Sequence, residues 1–557
     1  MRSHTVNRLL GTYVLSATIA VTLFVSPWYS LDPVNLPKLV LLGISGIVIV
    51  TLGFSGQAFT TIKDKKWLLI VLGLFIATLT TSLISSPSDF SFKFYGSPGR
   101  NTGYLAYISL AFIAFGSAIA SSIWLMKKMV ISLLSIGALL AIYGLAQWRG
   151  ADFFDYVNVY GSDVFGTFGN PNFQSAFMGM VAATSMTWAI FGKPNIKIRG
   201  GLLVLAALAL LNVKLSSEQG FLNFIAGLAG AIAIYLFATG KRFLCWSFIA
   251  GLSMASTVLI MGMFNFGPLA DAIYKSSLQA RGFYWRAGIN MMTAHPIFGI
   301  GPDGFGNWYR RSRTQSAAEF NTGIVSDSAH NLPLDLGTAG GFPLMIAYMG
   351  LVLLTITSVV RILKRGNEFD AAFASIVAAW IAYQAQSLIS INQLGLGVWG
   401  WALMGLLIGY EINTRKENQT VRDKSVQRNV KPNDKIPASV LLTTIGAGII
   451  GLMISLPPYL TANKYYRAIQ AADARTLQEA AYLKPYDRTR FLYTAQIMAS
   501  NKLDSQAIAI LEDAAVIYPD NFELWQQWSQ IPSATADEKA KALAEMKRLD
   551  PFNLGLK

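Results

Sequence analysis

Ionisable groups are scarce in this chain of 557 residues: Asp, Glu, Lys and Arg together make 13%, histidine occurs three times and cysteine once. The lone thiol, Cys245, excludes an intrachain disulfide and, in its apolar run, reads as packing. There is no histidine pair at helical spacing, no cysteine pair and no carboxylate cluster, so no metal or cofactor is expected. Acidic residues number 30 against 45 basic, a net charge of +15. What fills the place of charge is apolar, 53% of all residues, the composition of a chain dissolved largely in lipid.

Runs near the ~20 residues needed to cross a ~30 Å hydrocarbon core recur along most of the chain, and at that depth each must be helical to satisfy its own backbone. About thirteen spans are expected, near 8–25, 38–54, 67–85, 103–121, 129–147, 173–191, 200–215, 220–238, 244–262, 338–360, 372–390, 396–412 and 438–456. The run at 200–215 is short enough to be tilted or re-entrant. The first run precedes a Pro-Trp-Tyr turn and no small-residue cleavage site, so it reads as a span. The expected fold is all-α: a polytopic membrane domain over 1–413 with a large outer loop at about 263–337, a basic linker at 414–437, a last span at 438–456 and a soluble helical domain over 459–557.

Orientation follows from the basic residues, which short cytoplasmic loops retain. One set of alternate loops carries Arg2 and Arg8; Lys63, Lys65 and Lys66; Lys127 and Lys128; Lys193, Lys197 and Arg199; Lys241 and Arg242; Arg361, Lys364 and Arg365; and the linker from Arg415 to Lys435. The opposite loops hold isolated charges, Lys38, Lys93, Arg100, Arg149 and Lys214, and the long 263–337 segment. The amino terminus is therefore expected inside, and the long segment and the carboxyl-terminal domain outside. The positive charge then needs no nucleic acid to explain it.

After Pro457-Pro458 the composition becomes that of a water-soluble helical domain. Prolines at 485, 519 and 551 follow one another by 34 and 32 residues, the period of tetratricopeptide helix pairs. Ala480, Ala507, Leu511 and Ala514 fall where such a repeat packs its helices together. An irregular helical bundle with coincidental proline spacing is the alternative.

The outer segment holds the candidate chemistry. Residues 278–313 are basic, aromatic and punctuated by glycine, with Arg281, Arg286, Arg310, Arg311 and Arg313 having no evident topological duty. Guanidinium groups suit a lipid-linked phosphate or diphosphate; for the last three, anionic headgroups are an equal alternative, and Arg286 reads equally as a residue snorkelling from an amphipathic helix. Gly299–Gly306, "GIGPDGFG", reads as a tight turn after a helix in preference to a phosphate cradle, and His295 as a helix C-terminal residue. His4 is in the tail. His330 remains, a water-side imidazole able to act as a base at neutral pH or to serve as a structural hydrogen bonder. Asp327, three residues earlier, reads as a helix N-cap or an orienter of that imidazole.

These residues resemble the O-antigen ligase and O-antigen polymerase superfamily of bacterial envelope glycosyltransferases. His330, Asn331 and Gly341 match its His-Asn motif with a glycine eleven residues on, although Leu344 stands where a small residue or tyrosine is expected. Arg281, Trp285, Pro296, Gly299 and Gly301, followed by Pro302, Asp303 and Phe305, match the upstream motif, and "GRNTGYLAY" at Gly99 and "GTFGNPNFQSAF" at Gly166 are similar to these proteins too. The family's middle-span arginine is absent from "SSEQG" (216–220), leaving Gln219 or Lys214 to share its duty. The resemblance implies transfer of a glycan from undecaprenyl diphosphate to an acceptor hydroxyl, with His330 as catalytic base. Arg281, Arg286, Arg100, Lys214, Gln219, Asn331, Tyr309 and Arg310 are its candidate donor contacts. The implied acceptor is a lipid, a growing glycan or a protein, and the helical repeats suit an envelope protein partner. A flippase of lipid-linked glycans and a repeat-bearing scaffold are the non-enzymatic alternatives.

Overall fold

The computed structural model describes residues 2–28, 31–55, 65–86, 89–154, 161–274, 276–320, 323, 325–366, 369–420 and 436–556. Lys63, most of the basic linker at 414–437 and the side chains of Arg2 and His4 lie outside the described residues. The described part is all-α. Ten of its helices are long and apolar enough to cross a membrane: 5–23, 35–55, 66–85, 123–148, 196–216, 219–238, 242–263, 332–365, 394–415 and 438–455. The other three expected spans correspond to Tyr104–Ile119, a shorter apolar helix, and to Pro171–Phe191 and Ala371–Ser387, both largely buried among their neighbours. The segment expected to be short is a full helix, Ile196–Ser216, because Asn195 caps it ahead of the apolar run by accepting from the Ile198 amide.

Close approach between helices relies on small residues, as it must where lipid is as apolar as the side chains. A Cβ at Gly405 would stand 2.0 Å from the Ala114 carbonyl oxygen, and one at Gly409 2.1 Å from that of Ala118. This glycine pair, one turn apart, sets helix 394–420 directly against 104–119. At the periphery, helix 242–263 packs on 219–238 and leaves Phe243, Trp246 and Met254 exposed, as suits a lipid-facing element.

The two ends of the bundle differ in chemistry. At one, Arg365 and Arg415 converge on buried Glu411, and Asn413 joins Lys65 to the Ser121 carbonyl. At the other, short helices and loops are layered: Phe90–Tyr95 and the turn 96–103, then Ser276–Ala294, Phe305–Ser312 and Gln315–Phe320. Lys38, expected as a loop charge, is fully buried at this end. Its ammonium donates to the Val21, Thr22 and Phe24 carbonyls at 3.0, 2.8 and 2.9 Å, satisfying acceptors that the end of helix 2–23 leaves free.

Residues 457–549 form three helix pairs, 457–471 with 474–481, 488–500 with 504–517, and 522–530 with 536–549. Ala507, Leu511 and Ala514 are wholly buried between them, with Trp525, Trp528 and Ala542 continuing the same core. Pro485 and Pro519 follow the second helix of the first two pairs, where Asp487 and Asn521 then cap the next helix.

Candidate functional site

Helix Leu332–Arg365 starts six residues before the expected span, capped by Asn331, whose side chain accepts from the Leu334 amide at 3.0 Å. It is broken at Gly340 and Gly341, the latter at φ 69°. The break exposes carbonyls that the helix can no longer bind, and the 296–301 turn takes them. Ile300 and Gly301 amides donate to Thr338 and Ala339 oxygens at 2.8 and 3.0 Å, while the Phe342 amide donates to Pro296 oxygen at 2.8 Å. A Cβ on Gly341 would stand 2.4 Å from that Pro296 oxygen. The glycine eleven residues after His330 is thus the point where two backbone segments interlock. Gly341→Ala is expected to cost at least about 2 kcal/mol, combining a left-handed backbone with a backbone clash, read as a fall in thermal midpoint of the purified protein. Two amides of "GIGPDGFG" are taken by these bonds, and those of Gly299 and Gly304 bond to the His295 and Gly301 carbonyls, so this part of the turn serves packing.

His330 sits in the loop just before that helix at φ 53°, a conformation uncommon outside glycine. Ser328 and Asp335 hold it there. The His330 amide donates to Ser328 Oγ at 2.8 Å, Ser328 Oγ donates to Asp335 Oδ2 at 3.0 Å, and the Ala329 amide donates to Asp335 Oδ1 at 2.7 Å. Asn331 ties the loop sideways, its Nδ2 donating to Leu388 oxygen at 3.0 Å. The imidazole is half-buried and lies against Tyr284, ring centroids 5.6 Å apart. Tyr309, whose phenol burial pushes up to about 12, stands edge-on to the far ring at 5.6 Å.

Arg281 precedes Tyr284 by one turn of helix 276–294 and is half-buried. Among the described residues no carboxylate pairs with it. Burial opposes its charge and lowers its pKa. Burial and then the neighbouring Arg281 cation pull the His330 pKa down to about 4, so the imidazole is neutral at pH 7. The site therefore offers a neutral ring nitrogen and an uncommitted guanidinium beside one tyrosine.

Arg100 is committed instead. Buried at the tip of the 96–103 turn, it pairs with Asp303 at 3.4 Å and with Asp327 at 3.6 Å, and it also donates to the Asp327 carbonyl. Burial opposes its charge, but the facing carboxylates Asp303, Asp327 and Asp335 outweigh that and raise its pKa. Asp303 also accepts from the Ser97 amide at 2.6 Å and Thr102 Oγ1 at 3.0 Å, so this network braces the turn against the His330 loop. Asp327 is thus not the helix cap, which is Asn331; it anchors Arg100, and its charge partly offsets the lowering of the His330 pKa.

The arginines at 310, 311 and 313 meet neither lipid nor an open site. Arg310 pairs with Glu523 at 3.1 Å and Asp550 at 3.4 Å and lies 4.1 Å from the Phe522 ring; Arg311 pairs with Asp520 at 3.2 Å; Arg313 and Asp550 are both fully buried, 2.7 Å apart. Carboxylates of the terminal helices, more than 200 residues away in sequence, consume the charge. Arg286 is exposed, Lys214 is exposed and paired with Glu218 at 3.1 Å, and Gln219 donates to Asn172 oxygen at 2.7 Å. Gln219 nevertheless shares an end of the bundle with His330: one turn on, Asn223 donates to Gln386, beside the Leu388 that holds Asn331. His295 closes helix 276–294 and packs edge-on to Trp308 at 4.7 Å. The residues that sequence reasoning missed are Tyr284, Ser328 and Asp335; an acid in a first helical turn is ordinary enough to hide the last. Among the described residues no His, Cys, Asp and Glu cluster has a metal-holding arrangement.

Residues 201–349 match the family described as O-antigen ligase. The matched stretch contains Arg281, Tyr284, His330 and Gly341 and supports a membrane glycan-ligase or polymerase type of activity in general. A comparison with curated proteins finds no match.

Proposed function

We propose that this protein is a membrane glycosyltransferase that moves a glycan from a polyprenyl diphosphate to an acceptor hydroxyl on the outer side of a bacterial cytoplasmic membrane. The observation that carries the reading is the neutral imidazole of His330 beside the uncommitted guanidinium of Arg281, on the segment that matches the ligase family. His330 takes the acceptor proton as the hydroxyl attacks the anomeric carbon. Arg281 binds the diphosphate that leaves. Tyr284 spaces the two, Tyr309 supports Tyr284, and Asn331 fixes the loop. Gln219, Lys214 and Arg286 border the glycan's approach, whereas Arg100 and Arg310 are structural cations in this reading. The acceptor is a glycan, a lipid or a protein, and the terminal helix pairs, of tetratricopeptide type, present it or bind an envelope partner.

The pH profile tests the assignment. With the His330 pKa at about 4, kcat/KM is expected to stay flat from pH 8 to well below 6 and to fall only as the imidazole protonates near 4. Removing the Arg281 charge in Arg281→Ala removes one lowering influence, so the surviving acid limb moves upward, toward the free value near 6.5. An acid limb near 6.5 in the wild type, unmoved by Arg281→Ala, would detach His330 from the rate. Arg281→Lys is expected to restore only part of the activity, because the planar fork that grips two oxygens is lost.

The orientation has its own test. A reporter active only outside the cytoplasm is expected to work when fused after Lys557 and to be silent after Arg365. The reverse pattern would put His330 on the wrong side for a flipped donor.

A further inference from the structure

One cavity of the described residues stands apart from His330. A cleft of about 520 Å³ opens between the outer face of the membrane bundle and the terminal helix pairs. Tyr95, Tyr486, Tyr493 and Tyr518 line it, with amides from Asn35 and Asn101. Two polar groups of its lining residues have no hydrogen-bond partner among the described residues, Asn101 Oδ1 and the Tyr518 hydroxyl, and both are buried. Buried polar groups are ordinarily satisfied, and an orphan among ordered neighbours asks for a ligand. Asn101 is also held at φ 56°. Tyr493 is 46% exposed, an open ring on the cleft's terminal-domain side.

We infer that this cleft is a saccharide subsite, separate from the His330 centre, that holds sugar units of the acceptor or of the growing chain. A pyranose presents an apolar C–H face and a polar edge. Tyrosine rings pack against the first, and amide and hydroxyl groups bond to the second, which is the mixture found here. The position is suitable as well. Gly96, Pro98, Gly99 and Asn101 face the cleft while Arg100, between them, reaches Asp303 and Asp327, three residues before His330. The 96–103 turn thus borders the cleft and also contacts the loop that carries the proposed base. The choice of a saccharide rests on the transferase reading; the cleft and its unpartnered groups do not.

The test uses the purified full chain in nanodiscs and, as probe, labelled oligosaccharide released by mild acid from the lipid-linked glycans of the source cells. Wild type and His330→Ala are expected to bind it equally. Tyr493→Ala should weaken binding about tenfold. Tyr518→Phe, which removes only the orphan hydroxyl, should weaken it roughly fivefold without lowering the thermal midpoint. Absence of saturable binding by the wild type would overturn the proposal. So would binding that Tyr493→Ala and Tyr518→Phe both leave unchanged, binding lost in His330→Ala alone, or displacement by sugar-free polyprenol, which would make the cleft a lipid site. Turnover measured on the same preparations separates the two readings: cleft binding that persists while His330→Ala transfers at the wild-type rate would refute the transferase chemistry and leave the subsite standing.

Discussion

His330→Ala is expected to lower the transfer rate by roughly 10²- to 10⁴-fold, the usual contribution of a positioned general base. The protein should remain folded. The imidazole is half-buried, its contact is a ring stacked on Tyr284, and the hydrogen bonds that hold its loop run through backbone and through Ser328 and Asp335, not through the ring itself. The thermal midpoint is therefore expected to move little while the rate collapses. Alanine inherits the left-handed backbone at φ 53° with less tolerance than histidine, so His330→Asn, which accepts that conformation well, is the better control for strain. Both variants should be equally slow. Recovery of the wild-type rate in His330→Asn would show that loop shape, not proton transfer, was lost.

Asp550→Ala is expected to release the terminal helix pairs from the end of the membrane bundle that carries the His330 loop. It leaves Arg313, fully buried, without its carboxylate, and removes one of the two partners of Arg310. Removing one partner of a buried ion pair costs about 3–5 kcal/mol, far more than loss of a surface pair. The separate core of residues 491–549 predicts that the last two pairs keep their fold after release. Limited proteolysis should then cut between residues 456 and 488 in the variant and spare the wild type. A protected Asp550→Ala chain would mean that Arg311 with Asp520 and Arg488 beside Phe92 suffice to hold the interface. Asp550→Asn keeps two of the hydrogen-bond geometries and should fall between.

This interface is where sequence reading and structure diverge most. Helices long and apolar enough to cross a membrane were legible because hydrocarbon imposes length and composition on each span by itself. The helix pairs were legible because proline and small residues recur at a fixed period. Arg310, Arg311 and Arg313 were legible only as charge. What neutralises them lies on Asp520, Glu523 and Asp550, and no local pattern announces a partner at that distance. The same holds for Lys38, whose acceptors are the unpaired carbonyls of another helix. At the candidate site, the His330 and Arg281 motifs lie in the segment that the O-antigen ligase family also matches, but their juxtaposition through Tyr284 follows from the break at Gly341, which docks the 296–301 turn and so brings helix 276–294 against the His330 loop. Asp335 and Ser328 form a support seven residues apart across a turn, a spacing that looks like nothing in sequence.

In the proposed mechanism His330 and Arg281 do different things to one donor, and binding measured beside turnover separates them. With a labelled polyprenyl-diphosphate glycan and purified variants, His330→Ala is expected to bind donor as wild type does and fail to transfer it, while Arg281→Ala loses binding and transfer together, because the diphosphate is charged in ground state and transition state alike. Donor transferred by His330→Ala at the wild-type rate would contradict the account.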